Sequence, residues 1–284
     1  MSIADQKYKA LIRDILENGK WDYGGNVRPT YKDGTPSHSQ SVFGVQIKFE
    51  KGEIPVVTSK RTPVKGSINE VVHWFFRLKS NDVKLAEEMK IGYWKEWMKK
   101  NGTIGRSYGH QLKKQKEKMD VGKFFKRRLD QVDAILWRLE NDPYSRRIMF
   151  AYWNPADVHQ KSLQECAWAG EFNVREGQLD FILKQRSLDV LLGCPSNWAG
   201  YYALQCAFAN LFDYEVGTFT HQIGNAHLYD NQIEKAKYLL EQSEYDQPEI
   251  YVNPSVKNFY DYGLGDIKYV NYQCGESIRT DPAI

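Results

Sequence analysis

The 284-residue chain has only 4 cysteines, at positions 166, 194, 206 and 274, with no CxxC pair and no metal-ligand spacing from histidine. That scarcity excludes a disulfide framework or zinc module, so no metal is expected, and reduced thiols in a cytoplasmic compartment become the expectation. No apolar run approaches the ~20 residues that span a bilayer. Met1–Lys20 is charged and amphipathic, unlike an export signal, and no membrane partner is expected. The net charge of +3 is too small to argue for nucleic acid, though local arginines suit a small phosphate. The basic segment Lys113–Arg128 reads as a solvated loop or helix face. Neither an internal repeat nor a linker-like break in composition occurs, so residues 1–284 are expected to form one domain.

Aromatic residues, by contrast, are plentiful: 8 Trp and 18 Tyr make up much of a 14% aromatic content. Such side chains suit a site or an interface with flat apolar walls. The densest polar stretch is KQRSLDVLLGCPSN, Lys184 to Asn197. It leaves an alternating run (Leu179, Phe181, Leu183) that reads as a half-buried strand, bends at Gly193 and Pro195, and enters an apolar helix at Trp198. Buried polar groups are costly unless paired. So many of them between a strand and a core helix point to a ligand that supplies their partners.

Apolar periodicity predicts helices over 4–18, with Gly19 as the stop, and over 67–78, 129–141, 198–212 and 230–242. Strands are expected over 41–49, 54–58, 148–153 and 221–229, with a hairpin joining Phe172–Val174 to Leu179–Lys184 and short strands near 250–252 and 267–272. On these elements stand residues with two readings each. Arg28 is a surface arginine or an anion ligand, and Glu70 serves a helix dipole or a site. Trp94 and Trp97, three apart on one helix face, are core or the wall of a flat-ligand pocket. Arg146 and Arg147, entering a strand together, are awkward for a monomer's core and natural for gripping a phosphate or a partner. Cys166 is a small buried hydrophobe or, in a cationic neighbourhood, a thiolate. His227 and Tyr229, two apart, share one strand face.

In this order and spacing the pieces TSKR, YWKEW, GTIGRSYG, DPYSRRI leading to WNP, the lone Cys166, QRSLDVLLGCPSN, HLY and the terminal PAI resemble the thymidylate synthase family across nearly the whole chain. The resemblance implies an α/β (α+β) fold on a bent, mostly antiparallel sheet, with two sheets packed back to back in a homodimer. It also implies transfer of a one-carbon unit from 5,10-methylenetetrahydrofolate to carbon 5 of a pyrimidine nucleotide monophosphate. Carbon 5 of uracil is a poor nucleophile. A thiolate adding at carbon 6 makes it enolate-like, which splits one hard step into two easier ones.

By resemblance, Cys166 is that nucleophile, with Glu70, Tyr108, Arg186 and Asn197 as its catalytic company. Arg28, Arg186 and Ser187 hold the phosphate from one subunit, and Arg146 and Arg147 reach in from the other. Gln185 is among the nucleotide contacts, Asn197 reads the uracil edge, and His227 and Tyr229 hold the sugar 3′-hydroxyl. Lys60, Trp94, Leu163, Asp189, Gly193 and the terminal Ile284 match folate contacts. Asn197 favours uracil, because an amide offers one donor and one acceptor.

The sequence departs from the family pattern close to the site. Pro-Cys-His is Glu165-Cys166-Ala167, Pro-Phe-Asn is Pro195-Ser196-Asn197, and Gly-Asp before HLY is Gly224-Asn225. Trp-Asp-Glu-Trp is Trp94-Lys95-Glu96-Trp97, and the tail ends Asp281-Pro282-Ala283-Ile284. The nucleotide hydroxymethylases, a related branch, add water to the exocyclic methylene where a synthase adds hydride. A polar Glu165 and a Ser196 in place of an aromatic would admit that water. Hydroxymethylation of dUMP is therefore the expectation, with methylation to dTMP, or hydroxymethylation of a cytidine nucleotide, as the alternatives. The retained Cys166, Arg186, Asn197, Glu70 and Tyr108 disfavour an inactive or RNA-binding paralogue, and the lack of a His or Asp in a recognisable dyad pattern with Cys166 disfavours a cysteine hydrolase.

Overall fold

A computed structural model describes residues 2–120 and 126–281. The chain opens with α1 (Ile3–Asn18), whose N-cap Ser2 hydroxyl accepts the Asp5 N–H and whose buried face is Tyr8, Leu11, Ile12 and Ile15. Gly19 ends it as expected. Its N–H donates to the Ile15 carbonyl at 2.9 Å, and a Cβ there would lie 2.3 Å from the same oxygen. After β1 (Lys20–Trp21) comes β2 (Ser39–Phe49).

The strand expected at 54–58 does not form. Val56 and Val57 are buried, but the Thr58 N–H and hydroxyl both donate to the Asp5 carboxylate of α1, at 2.9 and 2.7 Å. A helix side chain thus takes one backbone donor a ladder would need, the Val56 N–H turns back to the Ile54 carbonyl at 2.8 Å, and β-branched composition alone misleads here.

α2 (Val64–Ile68) runs directly into a wide π-helical segment, Asn69–Arg77. Its last bond, Leu78 N–H to His73 carbonyl at 2.8 Å, spans five residues. Next come α3 (Val83–Glu88), a 3-10 turn at Gly92–Trp97 and α4 (Gly109–Lys114). The basic segment is no loop or helix face throughout: its described residues continue into an antiparallel pair, β3 (Lys116–Asp120) with β4 (Lys126–Asp130). Asp130 then caps α5 (Gln131–Asn141), which leads to β5 (Met149–Ala151).

The second half supplies the centre. β6 (Ala167–Arg175) and β7 (Gln178–Asp189) form the expected hairpin. Its two-residue turn holds Glu176 at φ 50° and Gly177 at φ 75°, the conformation that matches strand twist. α6 (Gly193–Leu211) starts before the expected Trp198, with Pro195 in the first turn where no N–H partner is required. β8 (Glu215–Tyr229), α7 (Ile233–Leu240) and the antiparallel pair β9 (Glu249–Val252) with β10 (Ile267–Val270) follow.

Six strands make one sheet in the order β1-β2-β8-β7-β6-β5, antiparallel except for the β7–β8 pair. That pair is parallel because α6 intervenes as a crossover. α6 is apolar all round, burying Trp198, Tyr201 and Phe208 among others, as a helix enclosed on every side must be. It packs on β7 and β8 and against α2 and the wide helical segment. Where α6 meets α2, a Cβ on Gly200 would lie 2.7 Å from the Ser67 backbone oxygen. Gly200→Ala is therefore expected to destabilise the protein by roughly 1–3 kcal/mol, read as a lower denaturant midpoint at unchanged slope.

Candidate active site

Because β7 and β8 run parallel, their C-terminal ends lie side by side, with Ser187 opposite Asn225 and Asp189 opposite His227. The N-terminus of α6 starts just beyond, the start of β6 adjoins through the pairing of Ala167 with Gln185, and the wide helical segment lends Glu70, Val71 and Phe75 to the wall. Ligands of α/β folds collect at such strand ends. A cavity of about 660 Å³ opens here, a size that suits small-molecule sites.

Arg28, Glu70, Trp94, Tyr108, Leu163, Cys166, Arg186, Ser187, Asp189, Gly193, Asn197, His227 and Tyr229 all line it. Gln185 stands behind Asn197, and Lys60 is buried with its ammonium bonded to the Leu191 carbonyl, so neither lines the cavity. Arg146 and Arg147 are exposed away from it. Ile284 lies outside the described residues.

Cys166 Sγ stands where two opposing influences meet. Burial pushes the thiol above its ordinary value, and the Arg186 guanidinium pulls it back. Arg186 itself is braced from behind: its Nε donates to the Glu165 carbonyl at 2.9 Å and its Nη2 to the Gln164 carbonyl at 3.1 Å. The plane lies 5.6 Å over the Trp153 ring, which leaves other N–H groups for an anion.

Glu70 sits on the wide helical segment, buried and accepting the Trp94 indole N–H at 2.6 Å. Burial pushes its carboxyl up to about 7, against the lowering effect of hydrogen bonds from Tyr93 and Trp94. A carboxyl near neutrality can both give and take a proton at physiological pH. Tyr108 stacks flat on Phe75, centroids 4.4 Å apart, and its hydroxyl accepts the Cys166 N–H at 3.3 Å.

Asn197 is held in one orientation. Its Nδ2 donates to Gln185 Oε1 at 2.9 Å, and the same oxygen takes His221 Nε2 at 3.0 Å. His221 Nδ1 in turn accepts the Trp198 indole N–H at 3.0 Å, so Nε2 must be the protonated nitrogen. Rotating the Asn197 amide would set its oxygen against the Gln185 oxygen. One N–H and the carbonyl of Asn197 therefore face the cavity. Likewise His227 Nδ1 donates to Asn225 Oδ1 at 2.8 Å, which leaves Nε2 as an acceptor.

Glu165 does not do what was expected of it. Its side chain and that of Lys161 are fully buried in a 2.7 Å ion pair, outside the cavity lining, so it offers no water a route to the site. Ser196 does line the cavity. Sequence reasoning missed Phe75, Tyr93, Tyr201 and Leu192 in the wall. Their spacing announces only a core helix or an aromatic cluster. The support from His221 was also unannounced, since its partners Gln185 and Trp198 lie on other elements.

A half-buried thiol with an arginine beside it, a carboxyl balanced near neutrality and an oriented amide on one cavity are the groups that nucleophilic group transfer uses. The sequence profile described as thymidylate synthase matches residues 6–284. The chain is 36% identical over 285 residues to thymidylate synthase 1 of Bacillus spizizenii, covering all of both chains. It is also 36% identical over 285 residues, again covering all of both, to the thymidylate synthase of Bacillus phage phi3T. A solved structure, the thermostable thymidylate synthase A from Bacillus subtilis, superposes with a TM-score of 0.92 at 35% identity, covering 99% of each chain. The chain belongs to the thymidylate synthase family, folate-dependent transferases of one-carbon units.

Among the described residues no helix is long and apolar enough to cross a membrane, and no cluster of three or more His, Cys, Asp or Glu could hold a metal ion.

Proposed function

We propose that the protein converts dUMP to dTMP by reductive methylation, with Cys166 as nucleophile and 5,10-methylenetetrahydrofolate as co-substrate. The observation that carries this reading is the convergence of Cys166, Glu70, Tyr108 and Asn197 on one cavity in a chain whose full-length relatives are named thymidylate synthases. Those same names, and the sealed position of Glu165, favour methylation over the hydroxymethylation that the sequence departures had suggested. The same reading takes 1–284 as one domain, supported by a family match that runs from residue 6 to 284.

Arg28, Arg186 and Ser187 line the cavity and hold the phosphate by charge-assisted bonds. Acceptor Nε2 of His227, with Tyr229 beside it, receives the 3′-hydroxyl. The free N–H and carbonyl of Asn197 pair with uracil's ring carbonyl and ring N–H. Cytosine presents the reverse pattern, which the fixed amide does not match. Cys166 gives up its proton and adds at carbon 6, and the displaced electron pair moves through carbon 5 toward the ring carbonyl. Glu70 moves the proton this requires. Trp94, Trp97, Leu163 and Leu192 provide flat apolar walls. Asp189 keeps lone pairs free for ring N–H groups after accepting from Leu192 N–H and Gln232, so the walls fit a fused heteroaromatic ring. When bound, the folate supplies the methylene carbon and then the hydride that reduces it to methyl. Tyr108 sits where the carbon 5 proton departs, and the sulfur then leaves carbon 6.

Incubation with dUMP and methylenetetrahydrofolate is expected to yield dTMP and dihydrofolate in equal amounts. Hydroxymethyl-dUMP without dihydrofolate would overturn the choice of product, and turnover of dCMP but not dUMP would overturn the role of Asn197.

The reading includes a homodimer. Large apolar side chains stand exposed on strands of the sheet, Phe43 at 86% and Met149 at 43%, and a second copy would cover such surface. Arg146 and Arg147 then serve the neighbouring cavity. An Arg146→Glu/Arg147→Glu protein and a Cys166→Ala protein are each expected to be inactive, yet mixing them should restore activity. The mixed dimer has one site with both a thiol and the arginines. No recovery after verified subunit exchange would count against shared sites.

A further inference from the structure

Glu165 occupies a position where the family pattern has proline, and no step above uses it. Its side chain and that of Lys161 have no exposure at all, in a stretch between a 3-10 turn and a strand. Both carboxylate oxygens are spoken for. Oε2 takes the Lys161 ammonium at 2.7 Å. Oε1 accepts the Ser107 hydroxyl at 3.0 Å and the Tyr108 backbone N–H at 3.4 Å. A buried ion pair is weak support for stability, since apolar replacements do as well or better. Its use must lie in what it holds.

What it holds is a residue in a sparsely populated conformation. Tyr108 has φ 43°, a value non-glycine residues keep only when their surroundings impose it. The N–H fixed by Glu165 belongs to this residue, and the hydroxyl at its far end accepts the N–H of Cys166, one peptide on from Glu165. The contacts thus close a ring from Glu165 through the Tyr108 backbone and phenol to Cys166. Stacking on Phe75, nearly coplanar at 4°, confines the plane of the phenol but not its sliding within that plane. The tether on the Tyr108 N–H removes that freedom.

We propose that Glu165, neutralised by Lys161, is a positioning residue of the reaction, holding the Tyr108 hydroxyl at the Cys166 end of the cavity. This rests on the reading of Cys166 and Tyr108 given above. The test is a double-mutant cycle in the intact enzyme. Lys161→Met with Glu165→Ala removes both charges together and leaves none stranded. Expected is a kcat lower by about 10–100-fold, the scale of a misplaced catalytic group, with the KM for dUMP changed less than about twofold. In a Tyr108→Phe background the same pair of changes is expected to cost less than about threefold, because the hydroxyl it positions is already gone. Lys161→Met with Glu165→Gln, whose amide oxygen can still take the Ser107 and Tyr108 donors, should recover most of the rate. Should the Met/Ala protein not fold, Ser107→Ala, which releases one tether, enters the same cycle with a smaller expected loss. Equal losses with and without the Tyr108 hydroxyl, or an unchanged kcat, would overturn the inference alone. A parent enzyme that does not turn over dUMP at all would overturn the functional reading and this inference with it.

Discussion

Replacing Cys166 by alanine is expected to lower kcat by at least ~10³-fold, the scale seen when a covalent nucleophile is removed from a site that acts as a unit. Among the described residues Cys166 is the one cysteine lining the cavity, while Cys194 and Cys206 are buried elsewhere in the core. No neighbouring thiol can stand in for it. Binding of dUMP should survive, because Arg28, Arg186, Ser187 and Asn197 are untouched, and calorimetry should find its Kd within about threefold of the parent's. The combination is diagnostic. A loss of rate without loss of nucleotide affinity places the sulfur in the chemical step. A Cys166→Ala protein that still turned over within about tenfold of the parent would require a route with no covalent adduct.

Glu70→Gln is expected to move activity and stability in opposite directions. Losing the proton transfer should lower kcat by ~10²–10⁴-fold. Stability changes the other way because of what burial does to the carboxyl. Its folded value is raised to about 7 from an ordinary 4.5, so the folded protein prefers it protonated. The stability from this preference is fully present below about 4.5 and is lost as pH rises through about 7. Above that window the folded protein holds a buried carboxylate at a cost on the order of 3 kcal/mol. Glutamine can still accept the Trp94 N–H without a charge. The variant should therefore unfold at a temperature several degrees higher than the parent at pH 8, and the gap should close by pH 5. A gap of equal size at both pH values would mean that Glu70 does not titrate in this range.

Legibility followed range along the chain. Motifs whose chemistry is local were readable: the QRSLDVLLGCPSN stretch runs from a strand end into a helix start, and the elements around it place Arg186, Ser187, Asp189 and Asn197 on one cavity. The hairpin turn at Glu176-Gly177 and the α1 stop at Gly19 are likewise local steric events. Properties set by distant partners were not readable. The segment 54–58 looked like a strand because its residues are β-branched, and only the Asp5 carboxylate, some fifty residues earlier, shows why it is not. The wide helical segment at 69–77 has the same apolar pattern as an α-helix, so its altered pitch is invisible until it packs against α6. Glu165 is the clearest case. Alone it reads as a polar group that admits water, but with Lys161 it becomes a sealed pair. The two lie four residues apart outside any helix, so no periodicity joined them.

That pair has a consequence for how such a site can change over time. Lys161 and Glu165 have no exposure, and stripping a partner from a buried ion pair destabilises by about 3–5 kcal/mol, a large part of a typical protein's whole margin. The sequence cannot drift from this arrangement to an uncharged one through either single substitution without passing through a poorly folded protein. The two positions are epistatic, gained or lost together. Variants assembled by recombining this chain with a relative that has proline at 165 should therefore inherit 161 and 165 as one block.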